Sequence, residues 1–158
     1  MCKGQLLIKN QDGNCLFTVS SIEIEFFETG LDLTITCLEN RDCNLGFLPA
    51  PKLYLENIEI SENEFNKLET KKVEIPFGWE TESGEEKETN IARIYIGQHQ
   101  ALNKNLITLE KIESNLFRVI WVSESSDFNY YDDRAKNNKL ELNCEFKNVE
   151  QAVEKWTT

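Results

Sequence analysis

Basic residues are in short supply: 17 Lys and Arg stand against 28 Asp and Glu in 158 residues, a net charge of −11. A protein that neutralises nucleic-acid phosphates needs clustered cations, so direct DNA or RNA binding is not expected, and an anionic membrane surface would repel the chain. Histidine is scarcer still, with His99 alone in Gly97-Gln98-His99-Gln100. General-base chemistry near neutral pH therefore has few routes. A Cys/His pair is open to any of the five thiols and spacing selects none, while 28 acids make any chosen carboxylate pair uninformative. No catalytic residue is assigned.

Glycine is sparse and scattered, seven in all, and forms neither G-x-G-x-x-G nor G-x-x-x-x-G-K-[ST]. Phosphate-cradling loops are thereby excluded. The first apolar stretch, Leu6 to Ile8, is too short for a secretory leader. No run approaches a membrane span. Cys2, Cys15, Cys37, Cys43 and Cys144 are odd in number and contain no C-x-x-C, the closest pair being Cys37-x5-Cys43. Zinc sites need four ligands at tighter paired spacings. The expectation is a cytoplasmic chain with five reduced thiols, no metal and no cofactor.

What is present suffices for one domain, residues 1–158. Forty per cent of the chain is hydrophobic and includes nine Phe, three Trp and four Tyr. At this length folding buries roughly 68–70% of the unfolded surface. Alternation of apolar and polar residues at Ile22 to Phe26, Leu31 to Cys37 and Leu140 to Phe146 predicts strands with one buried face. Gln5 to Ile8 and Cys15 to Val19 flank Asp12-Gly13, a hairpin signal. Further strands are expected at Leu53 to Ile60, Lys72 to Pro76, Ile91 to Ile96, Leu106 to Ile112 and Leu116 to Val122. The last is almost continuously apolar and reads as a central strand covered on both faces.

Two helices are expected. Ser61 and Glu64 form a capping box, with Ile60 and Phe65 placed as its hydrophobic staple, so a short helix runs to about Leu68. Asn148 caps a second, whose stripe of Val149, Ala152, Val153 and Trp156 suits packing on the sheet. The fold class that follows is α+β: a predominantly antiparallel, twisted, meander-rich sheet with a short mid-chain helix and a C-terminal amphipathic helix packed on it.

Two segments stand out chemically. The stretch 80–90 carries Glu80, Glu82, Glu85, Glu86 and Glu88 against one lysine and has no apolar side chain, which reads as a solvated loop beside Trp79. Asp127 to Asp133 interleaves Phe128, Tyr130 and Tyr131 with Asp127, Asp132 and Asp133. Its acids lack the calcium-loop pattern. Tyrosines among carboxylates suit a basic protein partner, while a wide hairpin whose aromatics fold back on the core is the plainer reading. The profile points to a small acidic binding protein, most concretely an immunity protein that neutralises a cationic, nuclease-like toxin by occluding its active site or substrate surface. An acidic scaffold subunit or nucleic-acid mimic shares the charge argument, and a small enzyme using His99 or a carboxylate pair is the third class.

Overall fold

Alternation becomes strand almost wherever it occurs, because each strand puts every second residue on one inner face. The computed structural model describes residues 2–28, 30–40, 42–43, 49–78, 91–128 and 136–147. Its elements are β1 (Cys2–Asn10), β2 (Gly13–Phe27), β3 (Gly30–Cys37), β4 (Lys52–Ile58), α1 (Glu62–Lys67), β5 (Thr70–Ile75), β6 (Ile91–Tyr95), β7 (His99–Ala101), β8 (Asn103–Glu113), β9 (Leu116–Asp127) and β10 (Lys136–Lys147). All pairings are antiparallel, in the order β5-β8-β9-β10-β1-β2-β3-β4-β6-β7.

The expected α+β class is corrected. Strands hold 73% of the described residues and helix 5%, no described helix reaches seven residues, and the sheet curls into a half-barrel. The C-terminal helix expected from Asn148 falls outside the described residues. The sheet covers its inner face by curling, so the described core is assembled from its own strands and from Phe65 of α1.

Two strands carry the curl. The 15-residue β2 pairs with β1 through its first half and with β3 through its second, across an irregularity between Val19 and Ser21. Bulges of this kind bend a strand and strengthen its twist. At the other turn only Leu102 separates β7 from β8, so the last strand of the sheet order runs straight into the second. Backbone bonds tie the edges here: Ala92 N–H donates to Gly78 O (3.1 Å), Leu102 N–H to Ala92 O (2.8 Å) and Lys104 N–H to Pro76 O (2.8 Å). Gly78 permits this approach, since a Cβ there would collide with the carbonyl oxygens of Ala92 and Leu102.

Buried Asn105 latches the junction. Its Nδ2 donates to the carbonyls of Ile75 (3.0 Å) and Leu102 (2.6 Å), while its Oδ1 accepts from Trp121 Nε1 and from Ser123 Oγ, both at 2.8 Å. All four hydrogen-bonding positions of the amide are used. Around it the interior is filled by Trp121, Phe17, Phe65, Phe128 and Phe146 with aliphatics from every side of the curl.

The capping box forms as expected: Ser61 Oγ accepts from Glu64 N–H at 3.1 Å. Residues Ile60 and Phe65 of the staple are both buried. Phe65 plugs one end of the half-barrel, stacking on Phe117 at 4.3 Å and meeting Phe26 edge-on at 5.5 Å. The expected double coverage of Leu116 to Val122 is not found. Phe117, Val119 and Trp121 face the core, whereas Val122 on the opposite face is exposed. That strand is central in pairing, between β8 and β10, but its outer face meets water.

Candidate functional site

Most residues singled out from the sequence lie outside the described residues: Glu80, Glu82, Glu85, Glu86 and Glu88 in one segment, Tyr130, Tyr131, Asp132 and Asp133 in the other. Asp127 is the last residue of β9, with its Cα opposite that of Lys136 in β10. Phe128 is buried at 1% exposure, so this aromatic does fold back on the core. Its carbonyl accepts from Gln98 Nε2 at 3.3 Å.

The structure brings residues that precede the glutamate-rich segment together with residues on both flanks of the aspartate-rich one. A cavity of about 330 Å³ has Pro76 and Phe77 on one wall, just before the glutamate-rich stretch, and Ser125, Ser126, Asn137 and Asn138, flanking the aspartate-rich one, on the other. Asn103, Lys104 and Glu124 join them across its floor. The register explains the meeting. Asn103 opposes Glu124, three residues short of the end of β9, and Gly78 N–H donates to Asn103 Oδ1 at 3.2 Å.

Phe77 leads into this cavity while 59% exposed, the most exposed large hydrophobic side chain among those described. A half-free aromatic ringed by polar groups has the composition of a binding anchor. Lys104 and Glu124 form an ion pair at 3.3 Å. Lys104 (φ 51°) and Asn137 (φ 53°) both adopt left-handed backbone, sparsely populated for a non-glycine residue and strained for Lys. At Lys104 the strain coincides with a register shift between Asn103 and Leu106. The neighbouring cavity, about 360 Å³, continues from Asn137 and Lys139 to Lys9, Asn10 and Gln11 of the first hairpin. Asn10 and buried Asn138 hold the floor between them through an amide–amide bond of 3.0 Å.

His99 occupies the outer face of β7, with its ring 4.7 Å from that of Tyr95 and 6.0 Å from that of Tyr54. Arg93 lies over Tyr54 at 4.6 Å and pairs with Glu56 at 3.0 Å. Cys15, Cys37 and Cys144 face the core. Histidine and these thiols therefore sit on opposite faces of the sheet, and the Cys/His pairing that the sequence permits is not assembled with them. Cys15 and Cys43 are joined as a disulfide, Cα atoms 4.8 Å apart, which corrects the expectation of five reduced thiols. Asn40 Nδ2 donates to Leu16 O at 2.6 Å, beside Cys15 on β2. Among the described residues no group of three or more His, Cys, Asp or Glu is placed to hold a metal ion. No described helix is long and apolar enough to cross a membrane.

No protein-family model matches the chain, and no curated protein or solved structure matches it either. The sequence reading missed Phe77, Lys104 and Asn137. Phe77 had a faint signal, as an aromatic next to Gly78-Trp79 and the glutamate run. The other two depended on register.

Proposed function

We propose that the chain is a binding protein for a basic protein partner, docking through the face around Phe77. In its sharpest form this is an immunity-type inhibitor that covers the cationic cleft of a nuclease-like toxin. The observation that carries the reading is a cavity lined by the residues just before the glutamate-rich segment and by those on either side of the aspartate-rich one. Those segments hold five glutamates with one lysine (80–90) and three aspartates with one arginine (127–135), more than half of the net charge of −11. A cluster of carboxylates beside an exposed aromatic offers steering at long range and an apolar anchor at contact.

Affinity purification of the tagged chain from its native host, with mass spectrometry, names the partner. Binding kinetics at two salt concentrations then test the face. Changing Glu80, Glu82, Glu85, Glu86 and Glu88 together to Gln should slow association several-fold at low salt and flatten its salt dependence. Phe77→Ala, and separately the double change Tyr130→Ala with Tyr131→Ala, should leave association nearly unchanged and speed dissociation, by about 2 kcal/mol for a central anchor. If all three folded variants bind as the parent does, the face lies elsewhere and the proposal fails.

A further inference from the structure

The strand pairing gathers three thiols at the end of the sheet closed by α1. Alternation on β1 and β10 turns Cys2 and Cys144 towards the same inner side, and Cys37 joins them from β3. Cys2 opposes Phe146 and Gly4 opposes Cys144, so the two cysteines are diagonal neighbours across the β1–β10 pair. Gly4 is the residue that lets them meet. A Cβ there would come within 2.7 Å of Cys144 Cβ and collide with Asn143 O. With that space open, Cys2 Sγ and Cys144 Sγ lie 3.0 Å apart, about 1 Å beyond a disulfide bond length.

The two sulfurs differ in access. Cys144 is fully buried, whereas Cys2, at the start of β1, is only half-buried. A small molecule approaching this end of the sheet reaches Cys2 first. We propose that Cys2 and Cys144 form a dithiol site for exchange with a low-molecular-weight disulfide of the glutathione type, Cys2 attacking and Cys144 resolving. The Cys2 thiolate attacks one sulfur of the small disulfide, whose S–S bond breaks, releasing one thiolate and leaving a mixed disulfide on Cys2. Cys144 gives up its proton to water and attacks Cys2 Sγ, expelling the second thiolate. Two electrons pass to the small disulfide, and two protein thiols become one protein disulfide while two small thiols are released.

The electrostatics agree with these roles. The hydrogen bond from Cys144, set against desolvation, holds the Cys2 thiol below its ordinary value, and the same contact together with burial pushes Cys144 up. Cys37 is pushed up to about 12 by burial and by Cys2, so it stays protonated and does not compete. The product would join the first strand of the sheet to the last described one, across a sequence separation of 142 residues. Bridges closing long loops constrain the unfolded chain most.

The test exposes the folded, full-length chain to oxidised glutathione, blocks remaining thiols and maps disulfide-linked peptides by mass spectrometry. A Cys2–Cys144 linkage is expected, with Cys37 free, Cys15–Cys43 unchanged and the thermal midpoint raised by about 5 °C or more. Cys144→Ser and Cys144→Ala, checked for native circular dichroism, should instead accumulate a glutathionyl group on Cys2. A stable glutathionyl adduct on Cys2 in the unaltered chain, a Cys2–Cys37 linkage or an unreactive Cys2 would overturn the proposal. The peptide map of the unaltered chain decides the matter even if neither variant folds.

Discussion

Asn105 shows how much a single amide can organise in this chain. It bonds β5 at Ile75, the β7–β8 junction at Leu102, and β9 at Trp121 and Ser123. Its value lies in what its loss would strand: two carbonyls losing this donor and an indole N–H without its acceptor, with the Ser123 hydroxyl left only to Asn103 O at 3.2 Å. Each buried group left unpaired costs about 1–3 kcal/mol. Asn105→Ala is therefore expected to destabilise by about 3 kcal/mol or more, read as a lower denaturation midpoint at unchanged slope, and Asn105→Leu should recover little because the four partners remain polar. A loss under about 1 kcal/mol would mean that water replaces the amide. None of this was legible in the sequence, where a strand was expected to begin at Leu106 and Asn105 looked like one more polar residue ahead of it. The thiols teach the same lesson. Parity alone put Cys144 on an inner face, but its neighbour Cys2 followed only from the β1–β10 register.

The local signals around α1 were read correctly. The capping box of Ser61 and Glu64 and the staple pair needed no tertiary knowledge, and α1 stops at Lys67, one residue short of the expected end. What the sequence could not reveal is that this six-residue element is a plug. Phe65 is fully buried between β2, β9 and β10, 4.3 Å from the Phe117 ring and 6.5 Å from that of Phe146. The Lys111 ammonium donates to Asn66 O at 2.8 Å and holds the plug from β8. So short a helix gains its stability from this packing rather than from propensity. Phe65→Ala should cost about 3–5 kcal/mol, whereas Ser61→Ala should cost only about 1 kcal/mol through the lost cap. Equal losses in thermal unfolding would show that α1 is held by its cap and not by the core. The expected two-faced burial of Leu116 to Val122 went astray for the complementary reason. An apolar run records how well a strand pairs and packs, but burial of its second face depends on whether another layer exists, and here the sheet leaves that face to water.

At the scale of the molecule, the meander was visible in the hairpin signals, but its closure was not. Pairing of β1 with β10 joins residues 130 or more positions apart, from Lys9 opposite Lys139 to Cys2 opposite Phe146, and no local pattern reports it. The same closure organises the charge. Residues just before one acid-rich segment and on both sides of the other line one cavity, whose described ion pair is Lys104 with Glu124. Like charges concentrated in two sequence segments of a chain with net charge −11 repel one another more in the compact folded state than in the expanded unfolded chain. Salt shortens that repulsion, with a screening length of about 30 Å at 0.01 M and about 8 Å at 0.15 M. Raising ionic strength across this range should therefore raise the thermal midpoint by a few degrees. The variant with Glu80, Glu82, Glu85, Glu86 and Glu88 changed to Gln should start higher and gain less. Exposed ion pairs such as Lys9–Glu141 at 2.9 Å are weakened by the same salt, but such pairs are worth about 1 kcal/mol or less, so the net repulsion sets the sign. A midpoint that falls with salt, equally in parent and variant, would mean that the carboxylates are neutralised locally and do not form a field for a partner to follow. Persistence of the salt gain in the parent and its loss in the variant would locate that field on the segment beside Phe77, the same segment whose neutralisation should slow partner association.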